Sequence, residues 1–137
     1  VTVAKLSTGK LVGGYAGVSW ASSGDWVNSP TNFLFSLGWR TRWTETYGFR
    51  HDLIDGQQDH AQYHSETHGP AFGWGNDGKW SDLKFTDFNS AINTGQCKLG
   101  NTYECRPDGK GTECARDFCG EGDGWNVDEL EVWKKNN

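Results

Sequence analysis

The sequence predicts a mainly β fold, an antiparallel β-sandwich with little helix and with long loops stapled by disulfides. Three observations carry that prediction. Apolar and polar residues alternate with period two in short runs, most clearly over residues 1–6 and 127–133. The chain holds 19 Gly and 8 Trp in 137 residues, a composition that fits short strands, tight turns and large rings filling a core. No stretch sustains the 3.6-residue apolar period of an amphipathic helix.

The elements follow in order. Residues 1–6 read as a half-buried strand, Ser7-Thr8-Gly9-Lys10 as a turn, and residues 11–15 as a second strand, which makes a hairpin. Gly13 and Gly14 inside that strand imply a bulge or a close backbone approach. Residues 20–30 carry Ser22, Ser23, Gly24, Asp25 and Pro30 and read as a loop. Asn32-Phe33-Leu34-Phe35-Ser36-Leu37 fits a buried strand, and residues 40–49 fit one strand or two. Residues 60–64 suit strand or loop. Phe72-Gly73-Trp74-Gly75 alternates rings with glycines that leave room for them. Leu83 and Phe85 place a strand within residues 80–88. Residues 97–124, rich in Gly, Asp, Glu and Cys, read as long loops, and residues 127–133 as the closing strand. Neither a repeat nor a linker interrupts the chain, so a single domain over residues 1–137 is expected.

The formal net charge of -5 argues against a nucleic-acid surface, which needs clustered Lys and Arg. The mean hydropathy of -0.76 and the lack of a long apolar run argue against a membrane span. The chain contains no Met, so it is expected to be a processed product or a fragment of a longer one.

Four cysteines, Cys97, Cys105, Cys114 and Cys119, fall in one Gly-rich segment. Their even count and loop setting favour two disulfides, with all three pairings open. A zinc site is the alternative, but only Cys114 and Cys119 come near the spacing of a zinc knuckle. Disulfides place the protein in an oxidising compartment, so it is expected to be secreted.

The order of several short motifs resembles the TLDc domain family. Leu11-Val12-Gly13-Gly14-Tyr15, then Trp20, then Asn32-Phe33-Leu34-Phe35-Ser36-Leu37 resemble its Gly-Gly-Tyr strand, downstream Trp and "FLFSL" strand. Gly69-Pro70-Ala71-Phe72-Gly73-Trp74-Gly75, Asp82-Leu83, Gly100-Asn101-Thr102-Tyr103 and the ending Val127-Asp128-Glu129-Leu130-Glu131-Val132-Trp133 continue the likeness across nearly the whole chain. The resemblance implies a β-sandwich flanked by short helices and no catalytic residue set. It also implies a protective or protein-binding role, linked in intracellular members to oxidative stress and to the vacuolar proton-pumping ATPase. Two departures stand out. The family's domain has a helical segment upstream of the first strand, whereas this chain starts at Val1. That is expected to leave sheet or core surface to be covered, with a second copy as a candidate, and hence a homo-oligomer. The cysteine cluster is foreign to the intracellular members and favours an extracellular descendant.

Several constellations bear on chemistry. His60, His64 and His68 recur every four residues; on a strand neighbouring members lie about 13 Å apart, too far for one ion, so they read as solvent-facing or hydrogen-bonding residues. Asp117, Glu121, Asp123 and Asp128 in a Gly-rich stretch form a candidate Ca²⁺ site, though the EF-hand order is absent. No nucleophile elbow, phosphate-binding loop or paired-carboxylate cleft can be traced, so the chain is expected not to be an enzyme. The tryptophans are the strongest binding signal. Trp26, Trp80 and Trp125 sit in turn-like sequence beside polar groups that include Asp25, Asp82 and Asn126. Ring faces beside amides and carboxylates suit a sugar, whose apolar face stacks while its hydroxyls are hydrogen-bonded. The same set suits a protein hot spot. The expected function is therefore a secreted, lectin-like carbohydrate-binding module of defence or adhesion, with a carbohydrate or an extracellular protein as partner; the alternative is a TLDc-type protein-interaction or oxidative-stress-protective module without sugar binding.

Overall fold

The computed structural model describes residues 1–40, 46–65, 69–74, 81–85, 95–105, 112–120 and 124–136, with side chains described outside 38–40, 46–47 and 112–115. Two antiparallel five-stranded sheets account for the strands among the described residues. The first sheet contains β1 (Thr2–Leu6), β2 (Leu11–Tyr15), β4 (Phe33–Arg40), β5 (Thr46–Asp52) and β10 (Val127–Val132), in the order β10-β1-β2-β4-β5. The second contains β3 (Trp26–Val27), β6 (Gln62–Tyr63), β7 (Ala71–Phe72), β8 (Leu83–Lys84) and β9 (Gln96–Cys97), in the order β3-β6-β7-β8-β9.

The period-two runs become the strands of the first sheet. Thr2, Ala4 and Leu6 of β1 are buried, and their neighbours Val12 on β2 and Leu34 on β4 join them on the inner face. There they meet Phe72, Leu83, Phe85 and Cys97 from the second sheet's side. The two glycines of β2 produce a close approach, not a bulge: β2 pairs without a register shift on both sides. A Cβ on Gly14 would stand 2.5 Å from Phe72 Cζ across the sandwich, and one on Gly13 would stand 2.5 Å from Phe35 Cζ on the outer face. The pair therefore lets a ring lie flat against each side of one strand.

Two stretches differ from the sequence reading. The loop over residues 20–30 contains the edge strand β3, too short to show a period. The cysteine segment contains α1 (Thr112–Cys119), the one α-helix among the described residues. The helix docks through buried Phe118, which packs edge-on against His51 of β5 at 4.9 Å, and through buried Cys119. Cys119 is bonded to Cys97 of β9. Thr8 Oγ1 donates to the Cys119 carbonyl at 2.6 Å, tying the β1–β2 turn to the same end. Cys105 is also disulfide-bonded, and the described residues contain no free cysteine. No helix among them is long and apolar enough to cross a membrane.

Candidate functional site

The short strands of the second sheet bring together rings that are distant in sequence. β3 pairs with β6 so that Trp26 lies opposite Tyr63. A 3-10 turn over Gln58–His60 precedes β6 and delivers His60. Trp74 follows β7 just past Gly73, whose φ of +77° turns the chain. Trp26 stands at the centre, with ring centroids 4.6 Å from Trp74, 4.9 Å from Tyr63 and 5.7 Å from His60. His60 closes the set at 5.7 Å from Trp74. The rings are tilted or edge-on, which favours mutual packing. Trp26, Tyr63 and Trp74 stay half-buried and His60 is exposed. Exposed Asp25 is adjacent to Trp26, and the Asn28 amide, two residues after Trp26, donates to the carboxylate of Asp59, which precedes His60.

Buried polar groups hold this cluster from behind. Asp82, fully buried, accepts from the backbone amides of Asn101 at 3.3 Å, Thr102 at 3.1 Å and Tyr103 at 3.0 Å. Thr102 in turn accepts from the Trp74 amide at 2.8 Å and donates to the Trp74 carbonyl at 3.3 Å. The carboxylate thus fixes a loop, and the loop fixes Trp74. Burial pushes the Asp82 carboxyl up to about 7, against the lowering effect of those amide donors.

A second buried chain of hydrogen bonds runs through Gln62, the residue before Tyr63 on β6. Ser29 Oγ donates to Asn32 Oδ1 at 2.5 Å, and the Asn32 amide donates to Gln62 Oε1 at 3.0 Å. The Gln62 amide donates to the Val18 carbonyl at 3.1 Å and to His64 Nε2 at 2.5 Å. Accepting at Nε2 requires a neutral imidazole there, and burial lowers the His64 pKa in agreement.

The sequence-derived candidates separate. Trp26 reaches the cluster, and Asp25 is the exposed residue before it, its carbonyl accepting from the His64 amide. Asp82 is not a ligand-facing group but a buried support behind it. Trp125 is corrected from loop to core: it is 2% exposed and its ring lies against Gly95. Its polar neighbours Gly124 and Asn126 disguise that burial. Asn126 is exposed, but its backbone is engaged by Ser7. His60, Tyr63 and Trp74 were not singled out as ligand contacts, because the strand pairing that gathers them spans two-residue elements. Asp117 and Asp128 are exposed on α1 and β10. Trp80, Glu121, Asp123 and His68 lie outside the described residues. Among the described residues no group of three or more His, Cys, Asp or Glu is arranged to hold a metal ion.

A second aromatic surface, with half-buried rings and exposed Leu11 and Leu37, lies on the outer face of the first sheet. Cross-strand pairing sets Leu11 beside Leu37, Gly13 beside Phe35 and Tyr15 beside Phe33. Tyr15 and Phe33 stack at 5.2 Å, and the Arg50 guanidinium lies 3.8 Å over the Phe33 ring. Ion pairs of Lys5 with Glu129 at 3.0 Å and Arg50 with Asp52 at 2.5 Å flank it.

This arrangement of a Gly-Gly strand between two rings, a buried Asp-Leu pair and a closing edge strand follows the motif order noted in the sequence. The family model of the TLDc domain matches residues 1–136. The chain belongs to the TLDc domain family. No curated protein and no solved structure matches it. The TLDc motifs map mostly onto framework: Gly14 against Phe72 between the sheets and Gly13 against Phe35 on the outer face, Asp82 in its loop and Tyr103, whose hydroxyl donates to the Ala61 carbonyl at 2.5 Å. Of the cluster, Trp74 lies within a family segment, whereas Trp26 and His60 do not.

Proposed function

We propose that this TLDc domain is a non-enzymatic binding module whose aromatic cluster contacts a carbohydrate. The observation that carries this reading is the half-exposed set of Trp26, Tyr63, Trp74 and His60, bordered by Asp25, Asn28 and Asp59. Ring edges and faces offer apolar contact to a pyranose, and the exposed Asp25, Asn28 and Asp59 offer polar groups to its hydroxyls. The buried Asp82–Thr102 support pre-orders Trp74, which lowers the entropic cost of binding. A non-enzymatic role is supported by where the reactive groups are spent. Asp82 and His64 are committed to buried hydrogen bonds, and Cys97, Cys105 and Cys119 to disulfides. Those disulfides also support an extracellular location, and with it a lectin-like role in defence or adhesion.

A second reading, protein interaction of the TLDc kind, is favoured by the outer face of the first sheet. Tyr15, Phe33, Phe35, Leu37 and Arg50 with a charged rim have the composition of a protein hot spot.

A glycan array probed with the wild type, Trp74→Ala and His60→Ala separates the two. The sugar reading expects defined glycans to be retained by the wild type. It expects about tenfold weaker binding in Trp74→Ala, the loss of one well-placed ring contact. His60→Ala, at an exposed position, is expected to weaken the same glycans with an unaltered circular-dichroism spectrum. A wild type that retains no glycan would end the sugar reading and leave the protein surface.

A further inference from the structure

We propose that β10 is a self-recognition edge, along which two copies of this chain pair antiparallel about a twofold axis at Val132. Among the described residues the strand is an edge of the first sheet, hydrogen-bonded on one side to β1. Val1 and Trp133 exchange two backbone hydrogen bonds, at 2.7 and 2.8 Å. Alternation along an antiparallel ladder then turns the Glu131 and Glu129 backbone toward β1 as well. The N–H and C=O groups of Leu130 and Val132 therefore point away from the sheet, as a template for another strand.

The side chains agree with the backbone. From Asp128 through Val132 the strand is exposed on both of its faces. Leu130 is 40% exposed, Val132 56% and Trp133 62%. Proline and a covering helix are missing from this edge among the described residues; the register irregularity of β10 falls at Asp128, before the outward-pointing Leu130 and Val132, and the charges on the strand restrict which partner can pair with it.

Charge then selects the occupant and the register. The strand runs Asp128, Glu129, Glu131 and then Lys134, Lys135, acidic first and basic last. An antiparallel copy lays the basic end of one chain against the acidic part of the other. A twofold axis normal to the sheet keeps outer face with outer face, so only registers that pair residues of like parity are allowed. An axis at Leu130 sets Glu129 against the partner's Glu131, and one at Glu131 sets that residue against itself. Both are like-charge pairs and unfavourable. The axis at Val132 avoids them. It places Glu129 opposite the partner's Lys135 and Glu131 opposite the partner's Trp133. Leu130 lies opposite the partner's Lys134, and Val132 meets the partner's Val132. The result is one continuous sheet with five strands from each copy.

The test is the molar mass of the whole protein in solution across a concentration series, by sedimentation equilibrium. The wild type is expected to show a monomer–dimer equilibrium that weakens in high salt. Val132→Pro removes an N–H that points away from β1, so the intramolecular ladder survives while pairing of copies is blocked; this variant is expected to be monomeric. Lys135→Glu, at an exposed position beyond the strand, turns two attractive cross-strand pairs into repulsive ones and is expected to raise the dimer Kd about tenfold. It keeps the proposal open to refutation should Val132→Pro fail to fold. A wild type that is monomeric throughout, or a dimer whose Kd Lys135→Glu leaves unchanged, overturns the proposal. Neither outcome bears on the aromatic cluster, so the two readings stand or fall separately.

Discussion

The two sheets reach the same antiparallel geometry by different means. Strands of the first run from five to eight residues and are held by long backbone ladders. Every strand of the second is two residues long. Two-residue strands cannot hold a sheet through their ladders alone, and this sheet is held by side chains reaching backbone. Asp82 gathers the 101–103 loop, Asn32 and Gln62 bridge toward β2 and β4, and the Cys97–Cys119 bond clamps its far edge. The lesson is that the first sheet is a scaffold defined by pattern, and the second is a set of loops made rigid by buried polar groups. Loops so fixed are where binding groups are held at low entropic cost, and the aromatic cluster lies there.

The sharpest way to break that contrast is to remove the carboxylate. Asp82→Ala leaves the amides of Asn101, Thr102 and Tyr103 without their acceptor, each at a cost of about 1–3 kcal/mol when buried. A loss of about 4 kcal/mol in urea unfolding is expected. The pH dependence of the wild type carries a second signature. The folded carboxyl is pushed up to about 7 from an ordinary 3.8. A raised carboxyl favours its protonated form in the fold, so its stabilising share is complete below about pH 4 and is lost as pH rises toward 7. Asp82→Asn is expected to flatten that segment of the stability–pH curve. An unaltered slope would mean that another group titrates.

Next in size is the disulfide. Cys97 and Cys119 are 22 residues apart, and releasing a loop of that length costs about 3 kcal/mol. The informative measurement is hydrogen exchange in Cys97→Ala/Cys119→Ala. Amides of β8, β9 and α1 are expected to exchange faster, while the β1–β2 ladder keeps its protection. Uniform acceleration would show the two sheets to be one cooperative unit, against the division drawn above.

The same contrast explains what the sequence revealed. β1, β2, β4 and β10 were legible because five or more residues suffice to display a period of two, while Gly13-Gly14 left a bulge and a close approach both open. β8 was legible from Leu83 and Phe85, and β6 fell in a stretch open to strand or loop, but β3, β7 and β9 were not legible, since two residues carry no period. The helix α1 hid in a segment dominated by cysteine and glycine, and at eight residues it is too short to declare an apolar stripe. Trp26 was legible as a loop ring beside Asp25. Trp125 misled: its core role depends on Gly95, 30 positions away, which only the fold brings under the ring. Asp82 was noticed for its charge, but its partners lie in a loop about twenty residues downstream, and a carboxylate serving backbone amides leaves no mark in a residue pattern.

The smallest expected effect probes the other side of the contrast. Arg50 has two contacts on the outer face of the first sheet, an ion pair with Asp52 and a position 3.8 Å over the Phe33 ring. Its side chain is 57% exposed, so the ion pair is largely offset by hydration and screened by salt. The ring contact is less sensitive to salt because the guanidinium lies directly over the apolar Phe33 face, where counter-ions screen it less. Arg50→Ala is therefore expected to cost about 0.5–1 kcal/mol in urea unfolding, with most of that persisting in high salt. Disappearance of the effect in high salt would assign it to Asp52. A cost above about 2 kcal/mol would mean that the outer face helps hold the fold together, and a surface engaged in that way is a weaker candidate for docking a partner.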